Sequence, residues 1–160
     1  ILKAFTNLWR NIAMSETQEK LSTLALTTFA LNGLFLTVAE QLTAPVGITA
    51  TRWQVIGAVL KEPLTQSEIA RRMGITRQSV RRTSLQLVAE GMLYFTSNPS
   101  SRKAMLLHPT EKGYAVVNKI SPQHAAFAKQ LEDRIGKDKM AEIIDAMTGL
   151  RNTLEEIVRS

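Results

Sequence analysis

Four side chains in the middle of the chain can donate hydrogen bonds to the edges of nucleic-acid bases. They are Arg77, Gln78, Arg81 and Arg82. At about 100° per residue, an α-helix that begins at Arg77 carries all four within an arc of roughly 140°. In the major groove, arginine pairs bidentately with guanine and glutamine pairs bidentately with adenine. The spacing therefore predicts a helix edge that reads bases. The alternative interpretation is a charged face that contacts only water.

The opposite side of the same helix is largely apolar. Thr83, Leu87, Val80 and Ser84 fall there at helical spacing. This side is therefore predicted to pack on a core, while the basic edge stays in solvent. Leu85 is the exception, because it falls inside the basic arc, two turns beyond the first arginine, and the pattern gives no reason for it.

The preceding residues position this helix through local capping signals. Thr65 and Glu68 have the spacing of a capping box, which begins a first short helix by satisfying its free N–H groups. Gly74 supplies the left-handed residue that ends this helix. Thr76 caps the second helix, and Gly91 stops it. Helix, glycine-containing turn and helix together predict a helix-turn-helix.

The segment after the second helix is predicted to be a β-hairpin. Met92–Phe95 and Ala104–His108 are short apolar runs, and Thr96–Lys103 between them contains the turn sequence Ser-Asn-Pro-Ser-Ser. We therefore predict two short strands and a flexible tip that carries Arg102 and Lys103. A hairpin directly after a recognition helix is a wing, whose tip can reach phosphates or the minor groove. A plain surface hairpin is the alternative.

Basic charge is concentrated in this part of the chain. The 160 residues have a formal net charge of +6. Residues 65–103 contain seven Lys or Arg and two Glu, so this quarter of the chain has a net charge of +5. A local positive potential favours a polyanionic partner. The chain has no cysteine, which excludes disulfides and thiolate metal sites and agrees with a reducing compartment such as the cytoplasm.

The region before the helix-turn-helix is dominated by one long uncharged helix. It begins at the capping box Ser15–Gln18 and ends near Leu42. Leu21–Ala39 reaches the length of a membrane span, but hydroxyl, Asn and Gly residues interrupt it. We predict a helix buried in an oligomer interface, with membrane insertion as the disfavoured alternative. The amphipathic stretch Ile1–Met14 is predicted to be a packing arm or a partner-docking helix, with a membrane-surface helix as the alternative.

Two further helices are predicted after the hairpin. The first begins at Thr110, is kinked or restarted by Pro122 and is broken by Gly136. The second covers about Asp138–Arg159 and has apolar residues every three or four positions. Together, the apolar surfaces of this stripe and of the uncharged N-terminal helix are larger than the small central module can bury. Dimerisation through both ends of the chain is therefore predicted.

The sequence contains no recognisable catalytic or metal-binding constellation. His108 and His124 are the two histidines, and neither has the spacing of a zinc motif. The glycine-rich loops that bind nucleotide phosphates are also absent. Adjacent acidic residues such as Glu132 and Asp133 fall on predicted exposed helix faces. The sequence therefore predicts a protein that is not an enzyme and uses no metal or cofactor.

Two segments together resemble the MarR family of winged helix-turn-helix transcription regulators. They are LTQSEIARRMGITRQSVRRTSLQLVAEGML and NPSSRKAMLLHPTEKG. The resemblance covers about Trp53–Val117 in motif detail and the whole chain in helix order. It implies a mainly α fold with a small β-wing. An N-terminal arm and dimerisation helix would occupy 1–48, the winged helix-turn-helix 49–109 and the C-terminal dimerisation helices 110–160.

The resemblance also implies partners. It implies an obligate homodimer whose first and last two helices intertwine. Its two recognition helices would enter successive major grooves of a pseudo-palindromic double-stranded DNA site. The implied DNA contacts come from the helix-turn-helix and the wing: Ser67, Thr76, Arg77, Gln78, Ser79, Arg81, Arg82, Arg102 and Lys103. The family wing usually carries Asp-x-Arg, whereas this chain has Ser101 and Lys103, so the ion pair that positions the wing arginine is missing.

Many relatives bind a small aromatic or anionic effector between their dimerisation and DNA-binding regions. By resemblance, such a pocket would be lined by Phe29, Asn32, Trp53, His124 and Phe127. The combined prediction is a dimeric, sequence-specific transcription regulator of the cytoplasm, a repressor that a small ligand relieves. The alternatives are a winged-helix module for protein–protein contact in a larger assembly and a membrane-attached regulator.

Overall fold

The computed structural model describes residues 14–160, so the arm predicted over Ile1–Met14 lies outside it except for Met14. In chain order the described elements are α1 (Glu16–Thr43), a 3₁₀ turn (Ala44–Val46), α2 (Ala50–Ala58), β1 (Leu64–Thr65), α3 (Gln66–Met73), α4 (Arg77–Ala89), β2 (Leu93–Asn98), β3 (Ser101–Pro109), α5 (Glu111–Ile135) and α6 (Lys137–Arg159). The chain is mainly helical with one small antiparallel sheet, as predicted. It divides into two compact units, with the boundary between Gln41 and Leu42.

The first unit contains most of α1. The predicted capping box is confirmed: the Gln18 N–H donates to the Ser15 hydroxyl oxygen at 3.3 Å, and the Ser15 N–H donates to the Gln18 side-chain oxygen at 2.8 Å. Large apolar side chains are exposed along the helix, namely Leu21, Leu24, Phe29, Leu34, Phe35 and Leu36. Within residues 14–160, Glu16–Val46 is the one stretch long and apolar enough to span a membrane. One such stretch is weak evidence, because a core helix of a soluble protein passes the same test.

The second unit is built around a three-stranded antiparallel sheet in the order β1–β3–β2. Leu107 of β3 lies between Leu64 of β1 and Phe95 of β2 in the strand register. The sequence pattern predicts no strand at β1, because two residues are too few to show an alternation of apolar and polar side chains. Through β1, the sheet connects the hairpin to the start of the helix-turn-helix.

The hairpin strands are longer than predicted. β2 runs to Asn98 and β3 starts at Ser101, so only two residues form the turn. Arg102 and Lys103 therefore lie in β3, and the prediction of a flexible tip that carries them was wrong. The Asn98 side-chain oxygen accepts the Ser100 N–H at 2.9 Å, which closes the turn locally. Polar side chains beside the turn can remain in solvent while their backbone N–H and C=O groups form the hydrogen bonds between β2 and β3.

The core of the second unit draws on every element of the winged helix-turn-helix. Its buried apolar residues are Val55, Ile56, Val59, Leu64, Ile69, Ala70, Val80, Leu87, Met92, Leu93 and Leu107. Val116 and Val117 of α5 pack against this cluster from outside. The core therefore fixes α4 against α2, α3 and the sheet, and the other side of α4 is exposed in the part of the chain that the structure describes.

The two C-terminal helices are long. α5 continues through Pro122 without a restart, so of the two predicted effects of this proline the restart is wrong. Gly136, with a φ of +90°, separates α5 from α6 as predicted. α6 has an exposed apolar stripe at the predicted spacing, formed by Ile143, Ile144, Met147, Leu154, Ile157 and Val158.

Gly113 lets the first turn of α5 lie directly against the chain before β2. A Cβ atom at this position would lie 2.3 Å from the Met92 carbonyl oxygen. The Thr110 N–H donates to the same carbonyl at 3.0 Å, so this backbone has little freedom to move. We expect Gly113→Ala to lower the free energy of unfolding by about 1–3 kcal/mol, measured by urea denaturation.

Gly149→Ala is the matched control for this prediction. Gly149 lies within α6, and apart from its chain neighbours and the adjacent backbone of its own helix, no described heavy atom would lie within 4 Å of an added Cβ. This control substitution should leave the protein equally stable, or more stable by about 0.5–1 kcal/mol, because alanine favours a helix. Equal stability of the Gly113→Ala variant and the parent protein would show that α5 can move away from the Met92 carbonyl at no cost.

Candidate nucleic-acid interface

Local caps set the geometry of the helix-turn-helix, as predicted. The Thr65 N–H donates to the Glu68 carboxylate at 2.8 Å, and the Glu68 N–H donates to the Thr65 hydroxyl oxygen at 3.3 Å. Gly74 ends α3 in the left-handed region with a φ of +62°. The Ser79 N–H donates to the Thr76 hydroxyl oxygen at 3.1 Å and begins α4.

The capping box also affects the ionisation of Glu68. The backbone N–H of Thr65 lowers the pKa of this carboxyl most, followed by the Thr65 hydroxyl, and the nearby Arg71 and Arg72 add to the effect. A lowered pKa in the folded state means that the carboxylate stabilises the fold above its ordinary pKa. This contribution is lost as the pH falls through the lowered value. Glu68 therefore contributes its full stabilisation to the start of α3 at neutral pH.

The predicted apolar back of α4 is confirmed. Val80, Thr83, Ser84 and Leu87 are all buried. The Ser84 hydroxyl, which the apolar core cannot satisfy, accepts a hydrogen bond from the Gln66 side chain at 2.7 Å. This contact joins the first turn of α3 to the middle of α4, and so helps to fix the orientation of the opposite edge.

The predicted basic edge of α4 lies in solvent. Arg77, Gln78, Arg81 and Arg82 are exposed. Most of these side chains border one shallow concavity on the surface, whose lining residues are Thr76, Gln78, Ser79, Arg81, Arg82, Leu85 and Gln86. The structure therefore brings most of the predicted base-reading residues together on one surface.

The arginines of this edge are free of carboxylates. Within residues 14–160, no ion pair involves Arg77, Arg81 or Arg82. Two arginines in the neighbouring helices α2 and α3 are paired instead: Arg72 contacts Glu62 at 2.6 Å, and Arg52 contacts Glu90. An unpaired guanidinium keeps its five donors available for a planar acceptor such as a guanine edge or a phosphate.

The far end of α4 is held by two cations that the sequence analysis missed. Arg52 of α2 forms an ion pair with Glu90, the residue after α4, and the Arg52 side chain is mostly buried. The Lys112 ammonium donates to the Glu90 carbonyl oxygen at 2.8 Å. Positive groups at a helix C-terminus are favourable because the last carbonyls carry partial negative charge. No local sequence signal could have revealed the ion pair, because its partners are 38 positions apart.

The remaining predicted DNA contacts occupy separate places. Arg102 and Lys103 are exposed on β3 and have no carboxylate partner among the described residues. Ser67 is half-buried in the first turn of α3. The wing also carries an aromatic pair, Tyr94 stacked on His108 with ring centroids 5.0 Å apart. The wing thus offers two positive charges without the carboxylate that would position them.

Three of the five residues predicted to line an effector pocket, Trp53, His124 and Phe127, lie in the second unit. Trp53 and His124 meet edge to face, with ring centroids 5.6 Å apart. Together with Gln54, Gly57, Leu60, Val117 and Ser121 they line an open cleft of about 330 Å³. Phe127 is half-buried on α5 and does not line this cleft, and Phe29 and Asn32 are exposed on α1 in the first unit. In the part of the chain that the structure describes, no acidic, histidine or cysteine cluster could hold a metal ion.

Sequence comparison identifies similar proteins. A sequence profile described as the MarR family matches residues 46–104 of the chain. The uncharacterized protein Rv2011c of Mycobacterium tuberculosis is 33% identical over 117 residues, which cover 73% of this chain and 82% of that protein.

Solved structures give the same result for the fold. Staphylococcus aureus MarR, solved in complex with salicylate and kanamycin, superposes with a TM-score of 0.68 at 20% identity and covers 88% of this chain and 96% of that one. The transcriptional repressor CouR, bound to a 23-mer DNA duplex, superposes with a TM-score of 0.66 at 24% identity and covers 82% and 95% of the two chains.

Proposed function

Because the chain belongs to the MarR family of winged helix-turn-helix transcription regulators, we propose that it is a sequence-specific regulator that binds double-stranded DNA as a homodimer. The observation that carries the proposal is the exposed edge of α4, where three arginines have no carboxylate partner among the described residues. α4 would enter the major groove with Thr76, Arg77, Gln78, Ser79, Arg81 and Arg82 toward DNA. Ser67 would support this contact, and Arg102 and Lys103 would approach the flanking backbone.

A homodimer is supported by exposed apolar surface on two helices. Single exposed leucines are ordinary, but both α1 and α6 expose six large apolar side chains each. A second copy of the chain is the partner that would cover the same surfaces in both subunits by two-fold symmetry. Residues 1–48 and 110–160 would then serve dimerisation, and 49–109 would serve DNA binding at a pseudo-palindromic site.

The proposed mode of regulation is repression relieved by a small ligand. The open cleft beside Trp53 and His124 is apolar, with one imidazole that can meet an anionic group. CouR is a repressor solved on DNA, and S. aureus MarR was solved with salicylate, so binding of DNA and binding of a small ligand each occur on this fold. The protein would act in the cytoplasm, without catalysis, metal or cofactor.

Selection of bound fragments from random duplex DNA tests the proposal most directly. We expect an enriched pseudo-palindrome whose half-sites are about one helical turn apart, because two recognition helices would occupy successive major grooves. Affinity for the selected duplex should fall steeply with salt, as counterions are released from the contacted phosphates. Enrichment of a single half-site would contradict the dimer.

A different outcome would favour the alternative function. If no duplex is retained even at low salt, the winged helix would be a module for protein–protein contact, and the exposed arginines would face an acidic protein surface. Cosedimentation with liposomes would favour the membrane-attached alternative. Neither outcome is expected, because the free arginines and the two wing cations suit a regular array of phosphates.

The effector proposal leads to a separate prediction. The chain has two tryptophans, Trp9 and Trp53, so Trp9→Phe leaves only the cleft residue as an emitter. In this background, salicylate should quench the fluorescence and weaken DNA binding. His124→Ala should weaken the affinity for salicylate in this titration by about tenfold, because the hydrogen bond from the imidazole to the salicylate carboxylate is lost.

His108→Ala provides the matched control for the effector prediction. It removes the other histidine, which lies on the wing and outside the cleft. Quenching should be the same in this control as in the Trp9→Phe parent. If both histidine substitutions weaken salicylate binding equally, the result would argue against an effector site at the cleft.

A further inference from the structure

Leu85 is the one large apolar side chain that α4 leaves in solvent. Its exposed fraction is 45%, whereas Val80 and Leu87 of the same helix are completely buried. Every residue of α4 is described, and none of its other side chains covers Leu85. An isolated exposed leucine is ordinary on a protein surface, so exposure alone does not indicate a function for Leu85. Its position on the helix does.

The position of Leu85 is on the predicted base-reading edge. It lines the same shallow concavity as Gln78, Arg81 and Arg82. The four residues follow the spacing i, i+3, i+4 and i+7. This is the spacing of the four base-contacting positions on the recognition helix of a homeodomain. Leu85 therefore occupies the fourth place of a reading face whose other three members are hydrogen-bond donors.

The chemistry of leucine restricts what it can contact there. It has no donor or acceptor on its side chain, so it can bind neither a phosphate nor the polar edge of a base. The apolar group that the major groove presents is the C5-methyl of thymine. The same concavity is lined by Arg81 and Arg82, and residues 65–103 have a net charge of +5, so a polyanionic partner suits this surface better than an apolar protein surface.

We propose that Leu85 reads the methyl group of one thymine in each half-site, and so determines specificity at that base pair. This inference rests on the proposed DNA-binding function. Leu85 follows Arg82 by three residues, or about 4.5 Å along the helix axis. Since base pairs are about 3.4 Å apart, the thymine should lie within about two base pairs of the position that Arg82 affects.

Uracil substitution isolates this contact, because uracil lacks only the methyl group. In the selected duplex, each thymine is replaced in turn by uracil, and the affinity of the full-length protein is measured by fluorescence anisotropy. We expect the parent protein to lose about fourfold in affinity at one thymine per half-site, the effect of one buried methyl group. Leu85→Ala should bind the thymine and uracil duplexes equally at that position, and Leu85→Met should still prefer thymine.

Three results would overturn the inference. The parent protein could be insensitive to uracil at every position, or Leu85→Ala could keep the full preference for thymine. The third is an uracil-sensitive thymine far from the base pair that Arg82→Ala affects. Failure of the underlying function is distinguishable, because the parent protein would then select no duplex and the uracil series would have no starting site. Circular dichroism of Leu85→Ala checks the fold, which should not change because the side chain is exposed.

Discussion

Replacing Arg81 and Arg82 together by alanine should weaken binding to the selected duplex by at least roughly a thousandfold. Each lost base contact costs about 1–3 kcal/mol, and a dimer presents both residues twice. The protein should remain folded, because both side chains are exposed and neither belongs to an ion pair within residues 14–160. Fluorescence anisotropy on the selected duplex and on a shuffled duplex of the same composition measures the effect.

The shuffled duplex separates the two kinds of contact that arginine can make. Loss confined to the selected sequence indicates base reading, whereas equal loss on both duplexes indicates phosphate contacts. A control with Arg134→Ala and Lys137→Ala removes the same charge from the exposed corner between α5 and α6. It should reduce binding only slightly at moderate salt. Unchanged binding of the Arg81/Arg82 variant would exclude this edge of α4 as the DNA-binding surface.

The second large effect is expected at the dimer interface, where Leu154→Glu should produce monomers. Leu154 is 46% exposed in the single chain and lies in the apolar stripe of α6. In a two-fold interface the substitution occurs in both subunits. Losing the burial of one leucine costs about 1.5–3 kcal/mol each time, and a buried carboxylate adds to this. We expect the dimer dissociation constant to rise by at least roughly a hundredfold, measured by sedimentation equilibrium.

Asn152→Glu is the matched control for the dimer prediction. It introduces the same charge two residues earlier, on the polar side of α6, where Asn152 is exposed. The control should remain dimeric, and both variants should retain helical circular dichroism. Leu154→Glu should also lose the high affinity for the full palindrome, since a monomer contacts only one half-site. If Leu154→Glu dimerises with the same dissociation constant as the parent protein, the dimer interface does not include the apolar stripe of α6.

The parts of the fold that depend on neighbouring residues were predictable from the sequence. The capping boxes at Ser15 and Thr65, the left-handed Gly74 and the cap at Thr76 all involve groups within four positions of each other. The buried back of α4 followed from helical periodicity alone, because every residue of that stripe faces the same core.

Features that depend on distant residues were not predictable in the same way. The ion pair of Arg52 with Glu90 and the pairing of Leu64 with Leu107 join segments about 40 positions apart. The length of the wing strands was also missed, because the polar residues beside a tight turn carry no apolar alternation. Which residues line the cleft depends on how α2 and α5 pack, and the predicted Phe127 lies outside its lining for that reason.

The adjacency of Arg52 and Trp53 on α2 has a thermodynamic consequence. Arg52 is paired with the residue that follows α4, and Trp53 borders the cleft, so one rigid helix touches both places. A molecule that fits the cleft in only one position of α2 would therefore change the free energy of docking α4 into DNA. By reciprocity, DNA must change the affinity for that molecule by the same factor. Replacing Glu90 should reduce this coupling without abolishing it, because the buried core also holds α4 against α2.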